Sequence, residues 1–374
     1  MKNTLYLSIL AAALVGSQVF ANYIPTTTDA KEAGDNNYAG AFSQSGDASN
    51  ANVTINEEEE GGDDFSEISV YGGLSKKGSA DGNSVTMTGG QVFAVYGGSG
   101  KTGTVSNNKV TVSGGQLFFV IGGGIGNGTA SNNTVIISGA QVSAAVEGAE
   151  VGDVGDAVGN AVYLAGGEIG DVVGANVGTG SATNNHVHLV GAGASVTVNG
   201  GTVDGHSMQV GSVYVAMASG TMTGNSIEVY GTEITASTLS SMQMLNFHIA
   251  DGVLLSQEAM VSLTSTKTSG ALDLTGVEIG FSAADVQDWG KYEGQSITLV
   301  NAAQAITVGE GSLGDVEIKG ADGLTVATAT LALENSDKSL VLSNIKGTAP
   351  VPEPTTGTLS LLALAGLCAR RRRK

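Results

Sequence analysis

Glu147, Glu150, Asp153 and Asp156 lie close together in the chain, with Glu168 and Asp171 following shortly after. Two carboxyl groups held about 5 to 9.5 Å apart can hydrolyse a glycosidic bond, one as acid and the other as base or nucleophile. Cleavage of uronates by elimination needs more, because cations must neutralise the substrate carboxylate. The chain has no arginine before Arg370, and its lysines are scattered. The acidic cluster therefore reads as a solvated turn, with polysaccharide cleavage as the alternative. His186 and His188 have metal-ligand spacing on one strand face, and His206 could add a third nitrogen. No carboxylate completes that set in sequence, so a solvent-facing pair is expected, with no metal and no cofactor. His248 is expected to be a satisfied β-domain histidine. There is no Gly-x-Ser-x-Gly elbow, His-Glu-x-x-His pair or phosphate loop, and no residue is assigned a catalytic role.

The elements that would carry these side chains repeat. Asn83-Ser-Val85-Thr-Met87, Asn108-Lys-Val110-Thr-Val112, Asn133-Thr-Val135-Ile-Ile137, Asn160-Ala-Val162-Tyr-Leu164 and Asn185-His-Val187-His-Leu189 share an Asn-x-Val-x-apolar pattern at spacings of 25, 25, 27 and 25 residues. Glycines follow two residues later, and Tyr71-Gly72-Gly73, Tyr96-Gly97-Gly98 and Ile121-Gly122-Gly123 recur in the same period. Alternating apolar and polar residues indicate half-buried strands, and the Gly, Ser and Asn clusters between them indicate turns. The expected fold is all-β, a right-handed parallel β-helix or solenoid of about 25-residue coils, each adding about 4.8 Å of height. Val85, Val110, Val135, Val162 and Val187 should stack inward, as should Met87, Val112, Ile137, Leu164 and Leu189. Asn83, Asn108, Asn133, Asn160 and Asn185 should form an asparagine ladder at a corner, where amides bond to one another and to turn backbone. Tyr71 and Tyr96, and Phe93 and Phe118, match on successive coils, where corner packing or sugar stacking would use them.

Beyond Gly191 the register loosens. Asn225-Ser-Ile227-Glu-Val229 repeats the pattern 40 residues after Asn185, and a coil of poorer match is expected around Met208 to Met217. The solenoid is placed at 65–244, with a C-terminal β cap region at 245–346 covering the sheet edge. Residues 22–64, rich in Asn, Asp, Gly and Ser and ending in Glu57 to Glu60, Asp63 and Asp64, are expected to be a disordered acidic arm. Weak divalent-cation binding there is the sharper alternative, without a recognisable calcium signature.

The two ends read as addresses. Lys2, an apolar run from Leu5 to Val15 and small residues up to Ala21 have the form of a secretory signal peptide over residues 1–21, with a short signal helix. The other end, 347–374, has Val351, Pro352, Glu353 and Pro354, a Thr/Gly spacer, an apolar run from Leu359 to Ala369, then Arg370, Arg371, Arg372, Arg373 and Lys374. The apolar helix expected there is shorter than the about 20 residues of a stable transmembrane span, and the cations would hold its end on the cytoplasmic side. These parts, in this order, resemble the PEP-CTERM sorting signal. The resemblance implies that an exosortase-type transpeptidase removes the tail during export, after transient anchoring in the inner membrane. A plain C-terminal membrane anchor would predict nearly the same location. The body resembles the β-helical passenger regions of autotransporter adhesins, although about 100 C-terminal residues are too few for a membrane barrel of a dozen strands.

Charge narrows the partners. Lys2 and the tail cations are six of the 16 basic residues, so a processed body carries 10 basic against 35 acidic residues. Such a body repels nucleic acid and anionic membranes. The single Cys368 lies in the tail, which leaves the body without disulfides or thiolate sites. The expected protein is a secreted or cell-surface, non-catalytic β-helix, structural or adhesive. Its expected partners are the export machinery and the exosortase-type enzyme, with extracellular polysaccharide or host glycans as targets.

Overall fold

The structure, a computed structural model, describes residues 31–34, 37–55, 68–256, 258–283, 286 and 288–348. The signal segment, most of the acidic run and the sorting tail lie outside the described residues. Among the described residues, twenty-seven strands form one mostly parallel sheet, an arrangement that fits a β-solenoid. No helix among them is long and apolar enough to cross a membrane.

Each coil pairs in parallel register with the next. Ser84–Met87, Lys109–Val112, Thr134–Ile137, Ala161–Leu164 and His186–Val190 stack in order. Val110, Val135, Val162 and Val187 are completely buried, as are Met87, Val112, Ile137, Leu164 and Leu189. On the other walls the strands do not end at the bends: Gln91–Ser106 and Gln116–Ser131 each run for 16 residues around a corner.

The corner is set by backbone chemistry. Gly82, Asn107, Asn132, Gly159, Asn184 and Gly224, each just before a corner asparagine, have φ between 53° and 67°. Glycine and asparagine tolerate this left-handed conformation best, which accounts for the Asn-Asn pairs in the repeat. The following asparagine then turns inward. Asn108 Nδ2 donates to Asn133 Oδ1 at 2.9 Å and to the Ala80 carbonyl at 3.0 Å, and Asn133 Oδ1 also accepts the Asn108 backbone N–H at 3.1 Å. The ladder runs from Asn83 through Asn225 and ends on Gln243 Oε1 at 2.8 Å. It stands between a large aliphatic core and a smaller one built from Ala80, Val105, Ala130, Ala157 and Ala182. A Cβ on Gly98 or Gly123 would collide with the asparagine amide, so the Gly-Gly pairs let the chain pass against the ladder.

Three sequence expectations are corrected. The acidic arm is not disordered throughout: Asn37–Ser43, Ala48–Ser49 and Asn52–Ile55 pair in parallel with Ser69–Ser75, Ala80–Asp81 and Ser84–Met87 as a first coil. Its valine, Val53, stacks beneath Val85, but Ala51 occupies the corner position and has no side-chain amide to continue the ladder. Its N–H instead donates to Asn83 Oδ1 at 3.1 Å. Second, no extra coil separates Asn185 from Asn225, because Asn185 Nδ2 bonds directly to Asn225 Oδ1 at 3.0 Å. The surplus residues form an inserted antiparallel hairpin, Ser195–Val198 with Gly201–Asp204. Third, parallel stacking continues past residue 245, with Met244–Ile249 pairing to Ser226–Tyr230 on one side and to Glu278–Ala283 on the other. Antiparallel closure comes only with Gly314–Lys319, Thr325–Glu334 and Ser339–Gly347, where the hydrogen-bonding edge is folded back on itself.

Candidate functional site

Residues three apart on a straight strand face opposite sides, yet Glu147 and Glu150 converge, because the chain bends at Gly148-Ala149 between them. The bend repeats up the solenoid as a longitudinal crease. One wall stacks Tyr71, Tyr96, Ile121, Glu147, Val173 and Tyr214, and the other stacks Leu74, Ser99, Gly124, Glu150, Asn176 and Met217. Glu147 is 9 % exposed. Its Oε1 accepts from Asn176 Nδ2 at 3.3 Å, and Oε2 has no hydrogen-bond partner among the described residues. Burial pushes the Glu147 carboxyl up to about 8, the adjacent Glu150 adds to this, and the Asn176 bond offsets part of it. Burial also raises Glu150. The crease therefore holds a carboxyl that is protonated at neutral pH. Burial thus pushes both carboxyls of the pair toward the neutral form.

The remaining acids of the sequence cluster do not join this pair. Asp156 Oδ1 accepts the Ser181 N–H at 2.9 Å, Asp171 Oδ1 accepts the Ser212 N–H at 2.8 Å, and Asp153 Oδ2 accepts from Asn127 at 3.2 Å. Asp47 and Asp81 do the same lower down, taking the Ser79 N–H at 2.8 Å and the Ser106 hydroxyl at 2.6 Å. Each tie crosses from one coil to the next, so these carboxylates clasp turns.

His186 and His188 belong to a polar ladder on the wall that follows the asparagine corner. His188 stacks on Tyr163 with ring centroids 4.1 Å apart, and Tyr230 stacks on His248 at 3.8 Å. Glu228, directly above His188 in register, accepts from His248 Nε2 at 2.8 Å, Ser226 Oγ at 2.6 Å and Asn246 Nδ2 at 2.9 Å. Ser282 Oγ meets His248 Nδ1 at 2.6 Å, and His186 Nδ1 meets Ser226 Oγ at 2.8 Å. Burial alone would raise the Glu228 carboxyl, but the bonds from His248, Ser226 and Asn246 outweigh it and hold the group at about 2. Burial depresses His188 to about 4, against the pull of Glu228. The pair expected to face solvent is thus built into a stacked network, and Glu228 is the member that sequence reasoning missed. Its signal was present, since Asn225-Ser-Ile227-Glu places it in the column of His188. His206 lies apart, beside a cavity of about 390 Å³ between the inserted hairpin and Lys109, Thr111, Ile136 and Ser138. No group of three His, Cys, Asp or Glu among the described residues converges on a metal position.

The matched aromatics stack on each other. Tyr71 and Tyr96 lie 4.7 Å apart at 13°, each covering a face of the other, while Phe93 and Phe118 lie 5.5 Å apart at 12°.

The body is all-β, mostly parallel and repeat-built, and Asp47, Asp81, Asp156 and Asp171 tie one coil to the next. Residues 350–374 match the PEP-CTERM protein-sorting motif, which spans Val351, Pro352, Glu353, Pro354 and Arg370 to Arg373. The motif indicates an exported protein that undergoes membrane-associated sorting and processing by an exosortase-type enzyme. No curated protein and no solved structure matches the chain. No family match covers the body to support its resemblance to autotransporter adhesins.

Proposed function

We propose that this protein is a non-catalytic, right-handed β-helical rod of the cell surface or extracellular matrix, structural or adhesive, released from its membrane tail at Pro352-Glu353-Pro354. The observation that carries this is the use of the body's acids: Asp47, Asp81, Asp156 and Asp171 each close a hydrogen bond to the next coil, which leaves them to stiffen the rod. The sorting motif supports the route, with the inner membrane as transient anchorage and the outer envelope or surroundings as destination. Extracellular polysaccharide or host glycans are the partners that suit an acidic rod without arginine.

Two measurements test it. Fractionating cells that express the full chain or a chain ending at residue 348 should show the full chain at the surface or in the medium and the truncated one retained earlier on the route. Identical distribution would overturn the sorting assignment. Incubating the purified full chain with polysaccharides should give no new reducing ends. Turnover that is lost in Glu147→Gln or Glu150→Gln would establish the hydrolase alternative instead.

A further inference from the structure

One outer wall of the rod carries a pattern at every second residue. Gln91-x-Phe93, Gln116-x-Phe118, Gln141-x-Ser143, Glu168-x-Gly170 and Gln209-x-Gly211 lie on successive coils, with Gln91, Gln116, Gln141, Glu168 and Gln209 in direct register. The buried residue between each pair, Val92, Leu117, Val142, Ile169 or Val210, points into the core. Both members of each pair therefore face outward. The first column is a ladder of primary amides with one carboxylate, and Gln116, Gln141, Glu168 and Gln209 are exposed. Gln141 Nε2 donates to Glu168 Oε2 at 3.3 Å.

The second column changes size along the axis. Phe118 is 40 % exposed, packed on Phe93 below and edge-on against Phe119 at 4.9 Å. Above it the column shrinks to Ser143, Gly170 and Gly211, which leaves a shallow trough of about 330 Å³ edged by Gln141, Glu168 and Gln209. Side chains at the two glycines would meet the Ala144 carbonyl and the Gly170 carbonyl, so the trough is kept open by the backbone itself. Along this wall lie an aromatic face at one end, a row of planar amides that donate and accept with one carboxylate that accepts, and no lysine among the residues lining the trough.

We propose that this wall binds a neutral polysaccharide laid along the rod axis. One sugar ring would rest on Phe118, and its successors' hydroxyls would bond to Gln116, Gln141, Glu168 and Gln209. The chemistry follows from the groups present. The C–H face of a pyranose complements an aromatic ring, and amides pair with hydroxyl groups as both donor and acceptor. A polyanionic chain is disfavoured by Glu168 and by the 35 acidic residues against few cations. This proposal rests on the adhesive reading above and names its partner class.

Native electrophoresis of the purified full chain through gels containing hydroxyethyl cellulose, with alginate as the polyanionic comparison, tests it. The expected result is retardation by hydroxyethyl cellulose and none by alginate. Retardation should weaken roughly tenfold in Phe118→Ala and in Gln116→Ala/Gln141→Ala, each melting like the parent protein. If Phe118→Ala melts lower, the double glutamine variant decides. Absence of retardation, or retardation unchanged in a folded variant, overturns the proposal while leaving export and tail processing intact. Sedimentation showing a parent dimer that Phe118→Ala dissociates, without polysaccharide retention, would assign the wall to a second copy of the chain and also overturn it. Release of reducing ends would instead overturn the non-catalytic reading, with retention of the variants still reporting on the wall.

Discussion

Replacing Glu147 by Gln keeps the shape of the side chain in the crease and removes its proton. In the fold, burial and the neighbouring Glu150 raise the carboxyl from 4.5 to about 8. Between those values the folded chain holds a proton that the unfolded chain has released, so stability falls as pH rises. The contribution is fully present below pH 4.5 and is lost as pH climbs through about 8. At about 1.4 kcal/mol per pH unit its ceiling is about 5 kcal/mol, and about 2 to 5 kcal/mol is expected with Glu150 sharing the crease. His188 works in the opposite sense: depressed to about 4 from 6.5, it contributes above pH 6.5 and loses that contribution as pH falls. Because His188 is common to both proteins, the difference between parent and Glu147→Gln isolates Glu147. Urea titrations followed by circular dichroism at pH 5, 7 and 9 should give similar stability at pH 5 and a growing advantage for the glutamine variant toward pH 9. Parallel curves across this range would refute the crease electrostatics.

Other positions give sharp contrasts. Asn133→Ala removes bonds to Asn160, Asn108 and the Val105 carbonyl and should cost about 2 to 4 kcal/mol in urea unfolding; a loss below about 0.5 kcal/mol would mean that the ladder is not a stabilising element. Val135→Asp, which puts an unpaired charge into the fully buried column, should prevent folding, whereas His188→Ser should cost about 1 kcal/mol through lost stacking on Tyr163. Equal tolerance of the two would overturn the inward register. The His188 imidazole should stay neutral in NMR titrations until about pH 4, and protonation near 6.5 would contradict its burial in the stack.

Much of the fold was legible because the repeat is local. The Asn-x-Val-x-apolar pattern marks inward and outward positions by alternation alone, and the stacked valines follow it. The first coil escaped notice because Ala51 replaces the corner asparagine and 32 residues, rather than 25, separate its valine from the next. The hairpin Ser195–Val198 and Gly201–Asp204 disguised a single coil as two. The column of Glu228 is written in the repeat, but its partners Asn246, His248 and Ser282 lie outside it. Only the stacking of Glu278–Ala283 on Met244–Ile249 brings Ser282 to His248.

The sequence by itself determined the repeat, the direction in which each patterned side chain faces, and the sorting motif, since all three are written in short spacings along one chain. The tertiary structure alone decided which carboxyls meet. Glu147 and Glu150 converge through a glycine bend, while Asp156 and Asp171 turn to the coil above. The physical reason is that this solenoid's amide-to-amide ladder contacts join residues from 18 to 40 positions apart, and every insertion or bend changes which residues those are.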